Sequence, residues 1–139
     1  MRSDDTFYMQ LNSDIFRAYD IRGKFPGEIN EKVADIVIAK LVRHFKPKTA
    51  IIARDARLSS PRLYSAVRTR LEKEGVHIIE LGLITTPAFY YCANISRADF
   101  GVMITASHNP KNYNGLKPVL RGALRLSGKE VFKIIGKSR

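Results

Sequence analysis

The sequence predicts an α/β fold, a mixed, mostly parallel sheet flanked by helices. Three observations predict it. Short apolar runs at 49–53, 76–81 and 100–105 alternate with stretches whose apolar residues recur at helical spacing. The order strand, helix, strand, helix, strand at these separations argues for parallel pairing with right-handed crossovers. Each of the three runs feeds a polar loop, and in open α/β sheets ligands gather at the carboxyl ends of the strands.

The elements follow in chain order. Residues 1–14 form a polar N-terminal tail, and residues 15–139 form the domain proper. Ile15-Phe16-Arg17-Ala18-Tyr19-Asp20-Ile21-Arg22-Gly23 reads as a strand running into a turn, which joins the ligand edge if that strand points with the others. Asn30 caps a helix with Val33, Ile36, Val37, Leu41 and Phe45 on one face, closed by Pro47. Thr49 to Ala53 is a short buried strand. Ser60 caps the next helix, Pro61 takes its first position, Leu63, Tyr64, Val67 and Leu71 form its stripe, and Gly75 ends it. A strand runs from Val76 to Leu81. Thr86-Pro87 opens a helix through about Ala93, and Phe100 to Thr105 is a further strand. Segment 116–126 reads as a hairpin around Arg121-Gly122, whose antiparallel strand makes the sheet mixed. Gly128 to Lys137 is a short basic helix.

Composition narrows the function classes. The 139 residues suffice for one domain with its own core, and 45% hydrophobic against 27% charged content excludes a disordered chain. No apolar run is long enough to span a membrane, and the acidic start Met1-Arg2-Ser3-Asp4-Asp5 is not a secretory signal. The single cysteine, Cys92, permits no internal disulfide and fits a cytoplasmic protein. The net charge of +11 admits nucleic acid or anionic small molecules as partners. The cations are spread from Arg2 to Arg139 with no zinc-finger or aromatic RNP pattern, which argues against nucleic acid.

The chemistry concentrates in Thr105-Ala106-Ser107-His108-Asn109-Pro110-Lys111-Asn112-Tyr113-Asn114-Gly115-Leu116-Lys117. This loop holds a hydroxyl nucleophile, an imidazole, side-chain amides and a cation. A serine hydroxyl needs a base or polarising charge, and adjacency of His108 does not make a dyad, because neighbours on extended chain point apart. Asn109-Pro110 and Asn114-Gly115 read as turns. In the early segment, Arg22 before Gly23 either aims its guanidinium fork at a phosphate or pairs with Asp20 on the surface. Arg54-Asp55-Ala56-Arg57-Leu58-Ser59 precedes a helix N-terminus and is either an anion site or a capping network around Asp55. His44 and His77 read as satisfied structural residues, and Cys92 as packing. No cluster has metal-ligand spacing.

Taken together, Phe16 to Gly23, Arg54 to Ser59, Thr105 to Pro110 and Tyr113 to Lys117 resemble the α-D-phosphohexomutase family in order and separation. The form is similar to its bacterial and archaeal phosphomannomutase/phosphoglucomutase branch; Ala18-Tyr19-Asp20 stands where the phosphoglucosamine branch carries a Gly-Thr-Asp-Gly type sequence. Ala53 stands where the family often has Gly. The resemblance covers the chain from about Ile15, and only the first of the family's four domains. It implies an intramolecular phosphotransferase that interconverts hexose 6-phosphate and hexose 1-phosphate through a phosphoserine and a bisphosphorylated sugar. On that basis Ser107 is the modified, catalytic serine, His108, Lys117 and Arg22 are catalytic, and Tyr19, Arg22 and Lys117 bind substrate. The resemblance also implies one Mg²⁺, touching this chain through the Ser107 phosphoryl oxygen, and hexose 1,6-bisphosphate as activator. The family's Asp-x-Asp-x-Asp metal loop, its sugar loop and its last phosphate loop have no counterpart in these 139 residues. The expected partners are therefore a phosphosugar and the remaining domains of the same enzyme, with the chain inactive alone. The alternative is a truncated module that binds anionic sugars without catalysis.

Overall fold

A computed structural model describes residues 11–137. Most of the predicted tail lies outside the described residues. At its end, Asn12 caps a 3-10 turn at Ser13–Ile15 and donates to Glu28. The strands are β1 (Ile21–Lys24), β2 (Thr49–Arg54), β3 (His77–Leu83), β4 (Phe100–Ile104), β5 (Tyr113–Leu120) and β6 (Leu124–Arg125). The helices are α1 (Glu31–Phe45), α2 (Ser60–Lys73), α3 (Thr86–Ser96) and α4 (Gly128–Lys137). One mixed sheet runs β1-β5-β4-β2-β3, with β6 paired to β5. Pairs β2–β3 and β2–β4 are parallel; β4–β5, β1–β5 and β5–β6 are antiparallel.

The strand period of two divides the core. Ala50 and Ile52 join Val37, Leu63, Val102 and Val131 beneath α1, α2 and α4. Ile51 and Ala53 turn to the other face, where Phe89 and Ala93 of α3 cover Met103 and Val119. Helices therefore flank both faces. Local signals place the ends. Asn30 Oδ1 accepts from Val33 N at 2.9 Å, and Lys46 closes α1 in the left-handed region at φ 50°.

Three expectations are corrected. Residues 18–20 bend before β1 rather than after a strand, since Asp20 is buried against cations instead of continuing a ladder. Ser60 does not cap α2; Ser59 takes the cap position, and the Ser60 hydroxyl donates to Asp55. His44 and His77 lie in α1 and β3 with exposed side chains, and His44 meets the Phe45 ring edge-on at 4.8 Å. Asn114-Gly115 is strand, not turn. Asn114 is fully buried and donates to the hydroxyls of Ser59 (2.7 Å) and Ser60 (2.9 Å), which satisfies an amide inside a sheet. At Gly115 a Cβ would lie 2.2 Å from the Ile21 carbonyl oxygen and 3.0 Å from that of Thr105. Only glycine lets β1 and the end of β4 close on β5 from both sides.

That closure positions the early segment. Strand β1 runs in the direction of β4, because each is antiparallel to β5. Both Ile21 and Ile104 pair with Leu116, so β1 begins where β4 ends. Arg22 therefore lies beyond the carboxyl end of β4, beside the loop that follows it.

Candidate active site

Strand β4 delivers the loop from a buried base. Thr105 and Ala106 are buried, whereas Ser107 and His108 are exposed. Ser107 N donates to Thr105 Oγ1 at 3.1 Å, and Asn109 N to the Ala106 carbonyl at 3.1 Å. Ser107 adopts φ 56°, a left-handed backbone that costs a non-glycine residue roughly 1–2 kcal/mol. Lys46 and Arg97 share that conformation as helix C-caps. Ser107 caps nothing, so other contacts must hold it.

Arg57 supplies them. Its Nη2 donates to the carbonyls of Ser107 (3.0 Å) and Asn109 (2.8 Å), and its Nη1 to those of Pro110 (2.7 Å) and Tyr113 (3.0 Å). Its Nε donates to Asp55 Oδ2 at 3.2 Å. All five guanidinium N–H groups are spent, so Arg57 keeps none for an anion. Of the two readings of this segment, the capping network is the one the geometry displays. Asp55 Oδ1 accepts from Arg57 N and from the Ser60 hydroxyl at the start of α2. With its carbonyls turned inward to Arg57, the loop leaves Ser107 exposed.

On the opposite flank, Asp20 is fully buried. One carboxylate oxygen accepts from Arg22 Nε at 2.7 Å, and the other lies 2.9 Å from Lys117 Nζ. Arg22 Nη1 donates to Asn109 Oδ1 at 2.6 Å. Three predicted residues are thus brought together: Arg22 and Lys117 share one carboxylate, and Arg22 is tied to the loop of Ser107. Of the two readings of Arg22 made from sequence, the geometry displays the pairing with Asp20, which is buried rather than at the surface. Tyr19 is 73% exposed and His108 is exposed; among the described residues no contact joins either to this network.

A groove of about 480 Å³ opens beside the serine, lined by Asp55, Ala56, Arg57, Leu58, Ser107, Asn109 and Lys111. A larger one, about 600 Å³, runs between α1 and α2, but its Glu31 and Arg62 pair with each other and it carries no nucleophile. Sequence reasoning missed Arg57 and Asn109. Their partners lie about fifty and ninety positions away in the chain, and only the spacing of Arg57 two residues after Asp55 hinted at a turn. Among the described residues no three His, Cys, Asp or Glu side chains converge on a metal site. Asp55 is already committed to Arg57 and the Ser60 hydroxyl, and Asp20 is paired with Arg22 and Lys117, although its Oδ2 accepts no aligned hydrogen bond among the described residues. The residues present therefore do not by themselves fit Mg²⁺, and no chemical step is assigned to it here.

The arrangement offers an exposed serine on a strained, clamped loop tied to Arg22, and Arg22 Nη2 and the remaining ammonium hydrogens of Lys117 have no hydrogen-bond partner among the described residues. That suits acceptance or donation of an anionic group at serine. A family model described as "Phosphoglucomutase/phosphomannomutase, alpha/beta/alpha domain I" matches residues 13–138. A "Phosphomannomutase/phosphoglucomutase" of Pseudomonas syringae pv. tomato is 40% identical over 116 residues, 81% of this chain and 25% of that protein. A "Phosphomannomutase" of Escherichia coli K12 is 40% identical over 113 residues, again 81% of this chain and 25% of the relative. Among solved structures, a phosphoglucomutase/phosphomannomutase family protein from Burkholderia thailandensis superposes with a TM-score of 0.78 at 34% identity, covering 91% of this chain and 31% of that one. The chain spans about a quarter of the length of the curated relatives it matches. Motifs, topology and these likenesses agree, and the chain belongs to the phosphoglucomutase/phosphomannomutase family, where it corresponds to the α/β/α domain I.

Proposed function

We propose that this chain is the nucleophile-bearing domain of a phosphohexomutase acting between hexose 6-phosphate and hexose 1-phosphate, with Ser107 as the phosphoryl carrier. The observation that carries the reading is the clamped loop. The Ser107 hydroxyl projects from a left-handed residue whose carbonyl, with three others, is held by Arg57, while Asn109 ties the loop to Arg22.

In the proposed cycle the phosphorylated Ser107 gives its phosphoryl group to a sugar hydroxyl. A new sugar O–P bond forms as the Ser107 Oγ–P bond breaks. The sugar hydroxyl proton leaves to a base, and Oγ recovers a proton. The bisphosphorylated sugar then returns its other phosphoryl group to Ser107 Oγ by the reverse bond changes. This chain's residues position and neutralise, which is most of phosphoryl-transfer catalysis. Arg22 and Lys117 face the developing charge, with His108 beside the serine and Tyr19 at the rim for the sugar.

Magnitudes explain why the domain is proposed to be inactive alone. A phosphoserine and a substrate phosphate each carry close to two negative charges. About 5 Å apart at an effective dielectric of about 20, they repel by roughly 13 kcal/mol. Arg22 and Lys117 bring two positive charges against four, and Asp20 takes back one. The remaining charge falls to groups of the further domains expected beside this one.

Intact mass tests the carrier role. Incubated with hexose 1,6-bisphosphate and with the remaining domains supplied in trans, the chain should gain one phosphoryl mass that phosphatase removes and Ser107→Ala abolishes. Modification at another residue would defeat the proposal. A mutase assay on the 139-residue chain should show no turnover, and turnover lost in Ser107→Ala would refute the inactivity.

A further inference from the structure

We infer that Asp20 is a positioning residue: its buried carboxylate holds Arg22 and Lys117 together so that their remaining N–H groups address one anion at the serine loop. The inference rests on the proposed anion site but concerns a residue outside the phosphoryl chemistry.

Four observations carry it. The Asp20 side chain is only 1% exposed, yet each of its oxygens meets a different cation. Those cations come from different elements. Arg22 sits on β1, and Lys117 sits on β5 opposite Met103 of β4. Both are largely withdrawn from solvent, with side-chain exposures of 22% and 14%. Neither is used up. Arg22 Nη2 and the other ammonium hydrogens of Lys117 make no contact among the described residues. Arg57, which reaches the same loop from the segment before α2, spends every donor. A buried ionic cluster stabilises a fold no better than well-packed apolar groups of the same volume. Its retention here, with spare donors, fits placement of charge rather than cohesion.

Two roles for Asp20 predict opposite results. If it only neutralises positive charge, Asp20→Asn makes the site more positive, and an anion binds more tightly. If it positions the cations, the amide keeps one acceptor oxygen and turns an N–H₂ donor toward the second cation, which is released. The anion then binds more weakly although the site is more positive.

NMR of the isotope-labelled 139-residue chain, with inorganic phosphate as probe, separates them. In the wild type the Arg22 Nε–H and Lys117 ammonium signals should exchange with solvent more slowly than the exposed Lys111 ammonium. Equal exchange overturns the inference without requiring any variant to fold. Phosphate should shift the amides of Ser107 and His108, and Asp20→Asn should weaken that binding roughly tenfold, the scale of one charge-assisted hydrogen bond. Asp20→Glu, which restores both oxygens, should recover part of the loss. Equal or tighter binding by Asp20→Asn overturns the inference and leaves the phosphoserine proposal standing. If phosphate shifts no wild-type loop resonance, the anion site itself fails and the inference falls with it.

Discussion

The two rims of the sheet are each organised by an aspartate, and they use it differently. At the amino-end rim, Asp99 Oδ2 accepts from the backbone N–H groups of Lys48 (2.9 Å) and Thr49 (3.3 Å), and Oδ1 from Arg121 at 2.6 Å. Two of these donors are backbone N–H groups at the start of β2, and with Arg121 they make a staple to the end of β5. At the carboxyl rim, Asp20 gathers two cations and leaves each with donors to spare. The same carboxylate chemistry closes one rim and arms the other. Burial accompanies the difference. The Asp20 side chain is 1% exposed and that of Asp99 28%, so the carboxylate at the carboxyl rim is held against its hydration and the one at the amino rim keeps part of it.

The contrast breaks most completely at Gly115, on which the geometry of the carboxyl rim depends. A methyl group there would meet the Ile21 carbonyl oxygen at 2.2 Å, a backbone contact that cannot swing aside. Gly115→Ala should push β1 off β5, cost on the order of 3 kcal/mol of stability, and carry Arg22 away from Asn109. Urea unfolding gives the stability. Loss of the Arg22–Asn109 contact should appear as amide shifts in 105–110 with the residues around Asp99 unmoved. A variant as stable as the wild type would mean that β1 is not pressed against Gly115.

A smaller and more local effect is expected at Arg57. Arg57→Ala removes five donors, but the loop is partly exposed and water replaces some of them. We expect about 1–2 kcal/mol of global stability to be lost. Hydrogen exchange should rise sharply across 107–113 while the staple around Asp99 stays protected. Arg57→Lys should rescue little, because a point ammonium cannot serve four carbonyls and a carboxylate at once. Unchanged exchange in the loop would show that the left-handed turn at Ser107 holds itself.

These two residues also mark how far the sequence could be read. The parallel core was legible because β2, β3 and β4 are short apolar runs followed by polar loops, and α1 and α2 carry regular stripes with Asn30 and Gly75 as punctuation. The serine, Arg22 and Lys117 were legible as chemistry-bearing types in recognisable motifs. The early strand was misplaced. Its register is set by pairing with β5, more than ninety positions away, not by local propensity. Asn114-Gly115 carries a strong local turn signal that tertiary contacts override, since Ser59 and Ser60 satisfy the buried amide. Arg57 was read as part of either an anion site or a capping network around Asp55, and nothing local could decide between them, because its carbonyl partners carry no side-chain signature.

The smallest effect concerns the closed rim. The Asp99 carboxyl is held below the usual carboxylate range, first by the Lys48 backbone N–H, then by the Arg121 guanidinium, with the Thr49 N–H assisting and burial opposing. Its folded value is therefore lower than its unfolded one. The stabilisation is fully present above the unfolded value, about 3.9 for an aspartate, and is lost as pH falls through the folded value. Asp99→Asn should lower stability at neutral pH and flatten the acid limb of the stability curve, so that variant and wild type converge under acid. The exposure of this pair to solvent and salt keeps the effect below those at Gly115 and Arg57. Gly115→Ala, whose cost is steric, should instead shift stability by the same amount at acid and neutral pH. If Asp99→Asn were equally destabilising across that range, the amino rim would be held by the shape of its side chain rather than by its charge. The contrast with Asp20 would then be one of burial alone.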